Sequence, residues 1–252
     1  MAESMTVEQR IAHFLRLSQD PGATQAERDT AGQQAERLLA KHAIDRLTLD
    51  VEGAKRAQRE PIETGVLVVH GGRGTVALDV VLGLSRVATA LGLVPYFSDR
   101  RTPDPWDPEG TPHVRLSVSG FRSDVALALP LLESLHTQAV LAMRAWWRGD
   151  ARHRLVPRWD AHLARCAFVQ SFGDGAAARL RTARDEAVAT TGTALVVASR
   201  EAEVRGWVDD NVRLRTRTDR RSFSGYGRGQ GYAAGLRSTG TTRRGVHSPS
   251  GG

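Results

Sequence analysis

The chain holds a single cysteine and only two lysines, Lys41 and Lys55. One cysteine excludes an internal disulfide and a zinc site built from thiolates. Cys166 falls on the apolar side of a predicted helix, so we expect a small core side chain rather than a reactive thiol. Because lysine is so rare, arginine carries the positive charge. That arginine content either serves phosphate binding or reflects a GC-rich coding sequence.

Aromatic residues make up 6% of the chain, and no run approaches the roughly 18 apolar residues of a membrane span. The low aromatic content favours helices packed through alanine, leucine and valine. Residues Met1 to Arg10 lack the basic stretch followed by an apolar one that marks a secretory signal. We therefore expect a cytoplasmic protein without a membrane partner.

Catalytic motifs are also missing from the sequence. The eight histidines form no His-Glu-x-x-His pair, and no serine lies in Gly-x-Ser-x-Gly. The sequence therefore predicts no catalytic residue, no metal site and no cofactor. The stretch Gly71-Gly72-Arg73-Gly74-Thr75 lies between a predicted strand and a predicted helix. Its spacing fits neither a P-loop nor a dinucleotide-binding turn, so we interpret it as a connector.

Helical periodicity is strongest from Trp159 to Ser199. Apolar residues recur there at three- and four-residue steps until Thr191-Gly192, which precedes the apolar run from Thr193 to Ala198. This pattern predicts a long helix, a turn and a buried strand. Glycine inside a helix costs about 1 kcal/mol relative to alanine. We therefore interpret Gly173, together with Ala177, as a site where another element approaches closely.

Two short amphipathic patterns open the chain. The first spans Thr6 to Ser18 and the second Thr24 to about His42, with a Pro21-Gly22 turn between them. The pair predicts an antiparallel helical hairpin over residues 1–49. A polar and charged stretch at 50–61 then predicts a linker.

Six stretches of the chain carry a resemblance to a known family. They are Ile11 to Leu17, Pro21-Gly22-Ala23-Thr24, Ala35 to Asp45, Ser119 to Val125, Ser171 to Ala176, and Gly231-Tyr232-Ala233-Ala234-Gly235. The first three resemble the N-terminal hairpin of the domain of unknown function 2786 family, found in bacteria and their phages. The others resemble the second domain that often follows it. The resemblance implies this two-part fold and carries no established activity or catalytic residues.

Residues 62–210 contain further strand and helix patterns. Strands are predicted at Ile62 to Val69, Leu93 to Ser98 and Val114 to Ser119, the last by its alternation of apolar and polar residues. A helix is predicted from Val76 to Leu91, and another begins with Ser123 and Asp124 as its caps. With the elements after Trp159, the predicted order is β-α-β-β-α-α-β-α. This order predicts a small mixed sheet packed with long helices.

Positive charge is concentrated from Asn211 to Gly252. This segment holds nine arginines and one acidic residue, Asp219, whereas the whole chain has a net charge of +7. Its glycine-rich composition predicts a basic tail that is largely disordered. Arginine interleaved with tyrosine can neutralise phosphates and stack on exposed bases. The candidate nucleic-acid-binding residues are Arg213, Arg215, Arg217, Arg220, Arg221, Tyr226, Arg228, Tyr232 and Arg237.

The sequence thus predicts an α+β protein with a hairpin at 1–49, a linker at 50–61, a main domain at 62–210 and a tail at 211–252. The leading hypothesis is a non-enzymatic, nucleic-acid-associated protein of bacterial or phage type that binds mainly by charge. One alternative is a structural or protein-interaction module whose hairpin docks a protein partner. A third hypothesis is a hydrolase whose site is assembled from residues distant in sequence.

Millimolar ATP or GTP with magnesium is expected to leave the melting temperature unchanged, because Gly71 to Thr75 is interpreted as a connector. A nucleotide at 100 times its Kd would add about 2.7 kcal/mol of stability, which thermal unfolding would detect. A rise in Tm that disappears when Gly72 and Gly74 are replaced would contradict the interpretation.

Overall fold

The computed structural model describes residues 60–72, 74–100, 110–150, 155, 157–191, 194–215 and 225–238, with individual positions between 10 and 38. Its regular elements are β1 (Ile62–His70), α1 (Ala77–Ala90), β2 (Val94–Arg100), β3 (His113–Phe121), α2 (Arg122–Gly149), α3 (Arg158–Thr191), α4 (Ala194–Asn211) and α5 (Arg228–Arg237). The fold is α+β, as the sequence predicts.

A three-stranded sheet has the strand order β1-β3-β2. β3 pairs antiparallel with β1 from Ile62↔Phe121 to His70↔His113 and antiparallel with β2 from Val94↔Ser119 to Arg100↔His113. β1 and β2 therefore run in the same direction, with β3 inserted between them. The predicted mixed sheet is wrong, because every pair of neighbouring strands is antiparallel.

The predicted strand at 193–198 is also wrong, because helix α4 occupies Ala194–Asn211. A short apolar run has the same composition in a strand and in a helix, and only its continuation distinguishes them. Here the pattern continues as Val204 and Val208, which are four residues apart and both buried. The predicted break is confirmed, since α3 ends at Thr191. The order from β1 onward is therefore β-α-β-β-α-α-α-α.

The hydrophobic core lies between the sheet and the helices. Leu67 and Val69 of β1 and Leu116 and Val118 of β3 are buried, and α1 and α2 both contact these strands. Burial of each such side chain contributes about 1.5–3 kcal/mol. Helix α3 packs on α1, and α5 packs on α3. The molecule is therefore layered as sheet, α1 with α2, α3, and α5.

Helices α1 and α3 cross at two glycines, Gly83 and Gly173. A Cβ added at Gly83 would lie 2.9 Å from the Val169 carbonyl oxygen and 3.4 Å from the Gly173 Cα. The prediction that Gly173 lets another element approach closely is confirmed. Beside this crossing the buried Asp79 accepts a 2.7 Å hydrogen bond from Gln170 Nε2, so a polar contact also joins the two helices.

Three glycines of the C-terminal segment lie against the backbone of α3. The Cβ positions of Gly227, Gly231 and Gly235 meet, in that order, the carbonyl oxygens of Ala164, Phe168 and Phe172. Both series advance by four residues, so α5 runs parallel to α3 with one small residue per turn at the contact. Small residues at this spacing let two helix backbones approach closely.

The contact between α5 and α3 corrects the prediction of a largely disordered tail for residues 225–238. Gly231 and Gly235 are buried although the segment has few large apolar side chains. A segment with few large apolar side chains ordinarily buries too little surface to become ordered. Here glycine provides close backbone contact instead, and α3 supplies the apolar surface.

The start of α2 is capped by a residue distant in sequence. Its N-cap, Phe121, makes no side-chain cap hydrogen bond, and the Ser123 N–H donates to the Glu60 carboxylate at 2.7 Å. The prediction that Ser123 and Asp124 cap this helix is wrong, because both residues lie inside its first turn. Asp124 instead pairs with Arg200 of α4 at 3.1 Å.

Helix α2, with 28 residues, could cross a membrane by length and composition alone. The core helix of a globular protein meets the same criterion. Its residues Leu131, Leu132 and Leu135 are fully buried, and the helix packs against β1, β3, α1 and α3. The finding therefore does not establish a membrane span.

The described positions near the N-terminus are helical at Ile11 and at Ala35, among others. Both side chains are buried in the same hydrophobic cluster as the sheet and α1 to α3. These separate positions do not establish a hairpin, which stays a prediction.

Replacing Gly235 with alanine is expected to destabilise the protein by about 1–3 kcal/mol, because the new Cβ would collide with the Phe172 carbonyl oxygen. Gly229 of the same helix has nothing within 4 Å of its Cβ position. Gly229→Ala should therefore be neutral or stabilise by up to about 1 kcal/mol. Denaturant titration of both full-length variants measures the difference, and equal stabilities would contradict the α3–α5 packing.

Stability should also depend on the protonation of His136, a half-buried residue of α2. Burial lowers the pKa of His136 below its ordinary value, so the unfolded chain takes up this proton more readily than the folded one. Its contribution to stability is fully present above the ordinary pKa of about 6.5 and is lost as pH falls below that value. Denaturant titrations from about pH 7.5 to 5 should show wild type losing stability relative to His136→Gln. A pH-independent difference between the two proteins would contradict this expectation.

Candidate nucleic-acid interface

The predicted nucleic-acid-binding residues fall in two described stretches. Arg213 and Arg215 are exposed in irregular backbone after α4, and Arg228 and Arg237 are exposed at the two ends of α5. Tyr232, between them on α5, is 41% exposed. Outside the described residues lie Arg217, Arg220 and Arg221.

Helix α5 carries an arginine at each end. The two are nine residues apart, which on a helix corresponds to about 14 Å along the axis and about half a turn around it, so they lie on opposite sides of the helix. Residues 225–238 contain no acidic residue. A disordered tail would hold no arginine on a regular element, whereas Arg228 and Arg237 lie on α5.

Tyr226 belongs to an aromatic cluster rather than to the exposed side of α5. Its ring lies 5.3 Å from that of Trp146 and 6.4 Å from that of Trp147. Trp146 in turn stacks on Phe168, with ring centroids 4.9 Å apart. The Tyr226 ring is therefore used to hold the start of α5 against α2 and α3. Sequence analysis missed this cluster, because the two tryptophans lie about 80 residues before Tyr226.

A second cationic surface lies on the sheet face turned away from α1 and α2, here called the outer sheet face. Alternate residues of each strand point to it, and the pairing register places them in four cross-strand rows. The rows are Arg100·His113·His70, Ser98·Arg115·Val68, Tyr96·Ser117·Val66 and Val94·Ser119·Thr64. None of these positions holds a carboxylate, since Glu63 and Asp99 belong to the opposite face.

The two faces of the sheet differ in burial. Val66 and Val68 on the outer face are each 38% exposed, whereas Leu67 and Val69 on the other face are buried. Arg115 is exposed and makes no ion pair with any residue that the structure describes. The outer sheet face therefore leaves both apolar and cationic groups in contact with solvent.

Among the residues that the structure describes, other elements cover one end of the outer sheet face and leave the other end open. At the covered end α4 contacts β2 and β3, and the Arg200 guanidinium lies 3.6 Å from the centre of the Phe121 ring. At the open end the rings of His70 and His113 meet edge to face, 6.3 Å apart. Helix α1 begins close to this end, at Ala77, and a helix N-terminus carries partial positive charge.

The glycine-rich stretch after β1 is closed by its own hydrogen bonds. The Thr75 hydroxyl donates to the Gly72 carbonyl at 2.8 Å, and the Ala77 N–H donates to the Thr75 hydroxyl at 3.4 Å. Gly71 and Gly74 have φ angles of 149° and 83°, which only glycine adopts without strain. This geometry is compatible with a connector, and that interpretation stays a prediction.

Cys166 is fully buried, as the sequence predicts. Its sulfur lies 3.5 Å from Nε2 of His162. His162 precedes Cys166 by four residues, and residues four apart on a helix are neighbours. Among the residues that the structure describes, no group of three histidine, cysteine or acidic side chains could hold a metal.

No protein-family model, curated protein or solved structure matches this chain. The described residues offer two surfaces for an anionic ligand. One is formed by the exposed arginines of α5 and those before it, and the other is the open end of the outer sheet face. The alternation of Val114 to Ser119 indicated a half-exposed strand, but the pairing of β1, β2 and β3 was needed to place the cations side by side.

Proposed function

We propose that the protein associates with nucleic acid mainly through charge, and that the arginines of residues 211–252 supply most of the affinity. One observation carries the proposal. This segment holds nine arginines and one acidic residue, and its described arginines are all exposed. Arginine forms bidentate hydrogen bonds with phosphate and keeps its charge at any physiological pH.

Counterion release gives the expected strength of this association. Each phosphate that an arginine neutralises releases condensed counterions, so affinity falls as salt rises. If about five of the nine arginines reach phosphates, log affinity for duplex DNA should fall against log salt with a slope of about −4 to −5. Single strands should give a somewhat smaller slope.

The packing of α5 supports ordered contact with phosphates but does not imply a sequence preference. Arg228 and Arg237 lie at the two ends of a helix held against α3, on opposite sides of it, so each guanidinium reaches toward a phosphate from an ordered position. Phosphate contacts position a protein without reading bases. We therefore propose binding that is nearly independent of base sequence.

The proposal includes three features that the sequence predicts. They are a helical hairpin over residues 1–49, membership of the domain of unknown function 2786 family, and a cytoplasmic location in a bacterium or an infecting phage. The hairpin could serve a protein partner instead. The burial of Ile11 and Ala35 in the main hydrophobic cluster makes these two side chains part of the fold rather than of a docking surface.

The test uses the full-length chain, because ending it at Asp210 would remove α5 and expose the face of α3 that α5 covers. Arg213, Arg215, Arg228 and Arg237 are replaced together by glutamine. The loss of four phosphate contacts should make the salt slope for duplex DNA shallower by about 3–4. Fluorescence anisotropy with one labelled duplex at several salt concentrations measures the slope.

A matched control removes the same charge elsewhere. The control variant replaces four exposed arginines of α2, α3 and α4 by glutamine, so it loses as much positive charge as the tail variant. They are Arg144, Arg158, Arg181 and Arg205. The proposal is supported if the control variant keeps the wild-type salt slope while the tail variant shows a shallower one. The same slope change in both variants would contradict the leading role of the tail, and absence of binding by wild type would refute the proposed function.

A further inference from the structure

We infer that the open end of the outer sheet face binds a single-stranded segment of nucleic acid. This inference rests on the proposed function and adds a second contact surface to it. The surface consists of the two rows Arg100·His113·His70 and Ser98·Arg115·Val68 with the neighbouring Tyr96·Ser117·Val66 row.

The charge of this surface has one sign. Arg115 occupies the centre of its row on the central strand and has no acidic neighbour across either strand pair. The next row holds Arg100, which has an interaction of its own, beside the rings of His113 and His70. A cationic surface without carboxylates is complementary to a chain of phosphates.

The apolar and planar groups favour a single strand over a duplex. Val66 and Val68 are each 38% exposed, and the rings of His70, His113 and Tyr96 flank them on the same face. Bases of a single strand are unstacked and can lie on such groups, whereas a duplex hides the faces of its bases and presents mainly phosphates. A duplex would gain nothing from the exposed valines.

The dimensions of the open end also fit a short segment. Rows on one face are about 7 Å apart along the strands, and neighbouring strands are about 4.8 Å apart. Three rows across three strands therefore cover roughly 14 Å by 10 Å, enough for a few nucleotides. An acidic peptide would more readily pair through its main chain with β1 or β2, which are the edge strands among the described residues, because edge strands offer unpaired N–H and C=O groups.

Arg115 is the residue whose replacement tests the inference most cleanly. Arg100 adjoins the segment 101–109, which contains Asp104, Asp107 and Glu109 and lies outside the described residues. Arg115 is on the central strand and makes no ion pair with a described residue. Ser98, its exposed neighbour on β2, allows a carboxylate to be placed beside it.

The two sheet variants are Arg115→Gln and Ser98→Glu in the full-length chain. Their controls are Arg181→Gln and Thr182→Glu, which make the same changes of charge at exposed positions of α3. The probes are a labelled oligothymidine of about 15 nucleotides and a labelled duplex of the same length. Each sheet variant should bind the single strand roughly fivefold more weakly, and Arg115→Gln should lower its salt slope by about 0.7. Duplex affinity should change less than single-strand affinity, and the α3 variants should behave as wild type.

The outcomes separate this inference from the proposed function. If wild type binds both probes and the sheet variants bind them as wild type does, the outer sheet face plays no part and the tail proposal stands. If the sheet variants weaken duplex and single strand equally, the preference for a single strand is wrong. If the sheet variants no longer bind vesicles containing anionic lipid but bind oligothymidine as wild type does, the surface is assigned to a membrane instead. Thermal unfolding of each variant confirms that it is folded before binding is compared.

Discussion

The close contact of backbones on two sides of α3 is the constraint on which the rest of the structure depends. On one side Gly173 meets Gly83 of α1, and on the other Phe168 and Phe172 meet Gly231 and Gly235 of α5. Any Cβ at these glycines would overlap backbone atoms rather than a side chain that could move. Each glycine costs about 1 kcal/mol of helix propensity. Close packing and weak Cα–H···O contacts, about 0.5–1 kcal/mol each, offset that cost.

This constraint decides how charge is distributed over the molecule. Because α5 is fixed against α3, its arginines lie on the layer most distant from the sheet. The outer sheet face is the side of the sheet that is turned away from these helices. Helices of the core lie between these two surfaces. If both bind nucleic acid as proposed, they contact different parts of one strand or different molecules.

Ion pairs and hydrogen bonds hold α4 and the chain before β1 in place. Arg200 of α4 reaches Asp124 at 3.1 Å and Glu60 at 3.9 Å, and its side chain is only 15% exposed. Glu60 also caps α2, so one carboxylate connects the predicted linker, α2 and α4. Breaking such a partly buried network costs more than losing an exposed ion pair, which contributes about 0–1 kcal/mol. This network covers one end of the outer sheet face and leaves the other end open.

Much of this fold follows from local patterns in the sequence. The periodicity of residues 159–191 predicts α3, and the alternation in Val114 to Ser119 predicts β3, because both patterns reflect which side of one element is buried. The small residues Gly173 and Ala177 indicated a close approach, but they did not identify the partner helix. The excess of arginine after Asn211 is likewise a property of composition, and its role stays a hypothesis.

Tertiary structure decided what local patterns leave open. The run from Thr193 to Ala198 fits a strand or a helix equally well, and its continuation to Val208 with burial on one side makes it α4. The glycine-rich composition of residues 225–238 predicts disorder when the segment is considered alone. In the fold these glycines pack against the backbone of α3, a contact that the local sequence does not reveal. His70, Arg100 and Arg115 become neighbours only when β3 pairs between β1 and β2. Composition and periodicity describe single elements, whereas contacts between elements depend on register and close approach, which no single stretch encodes.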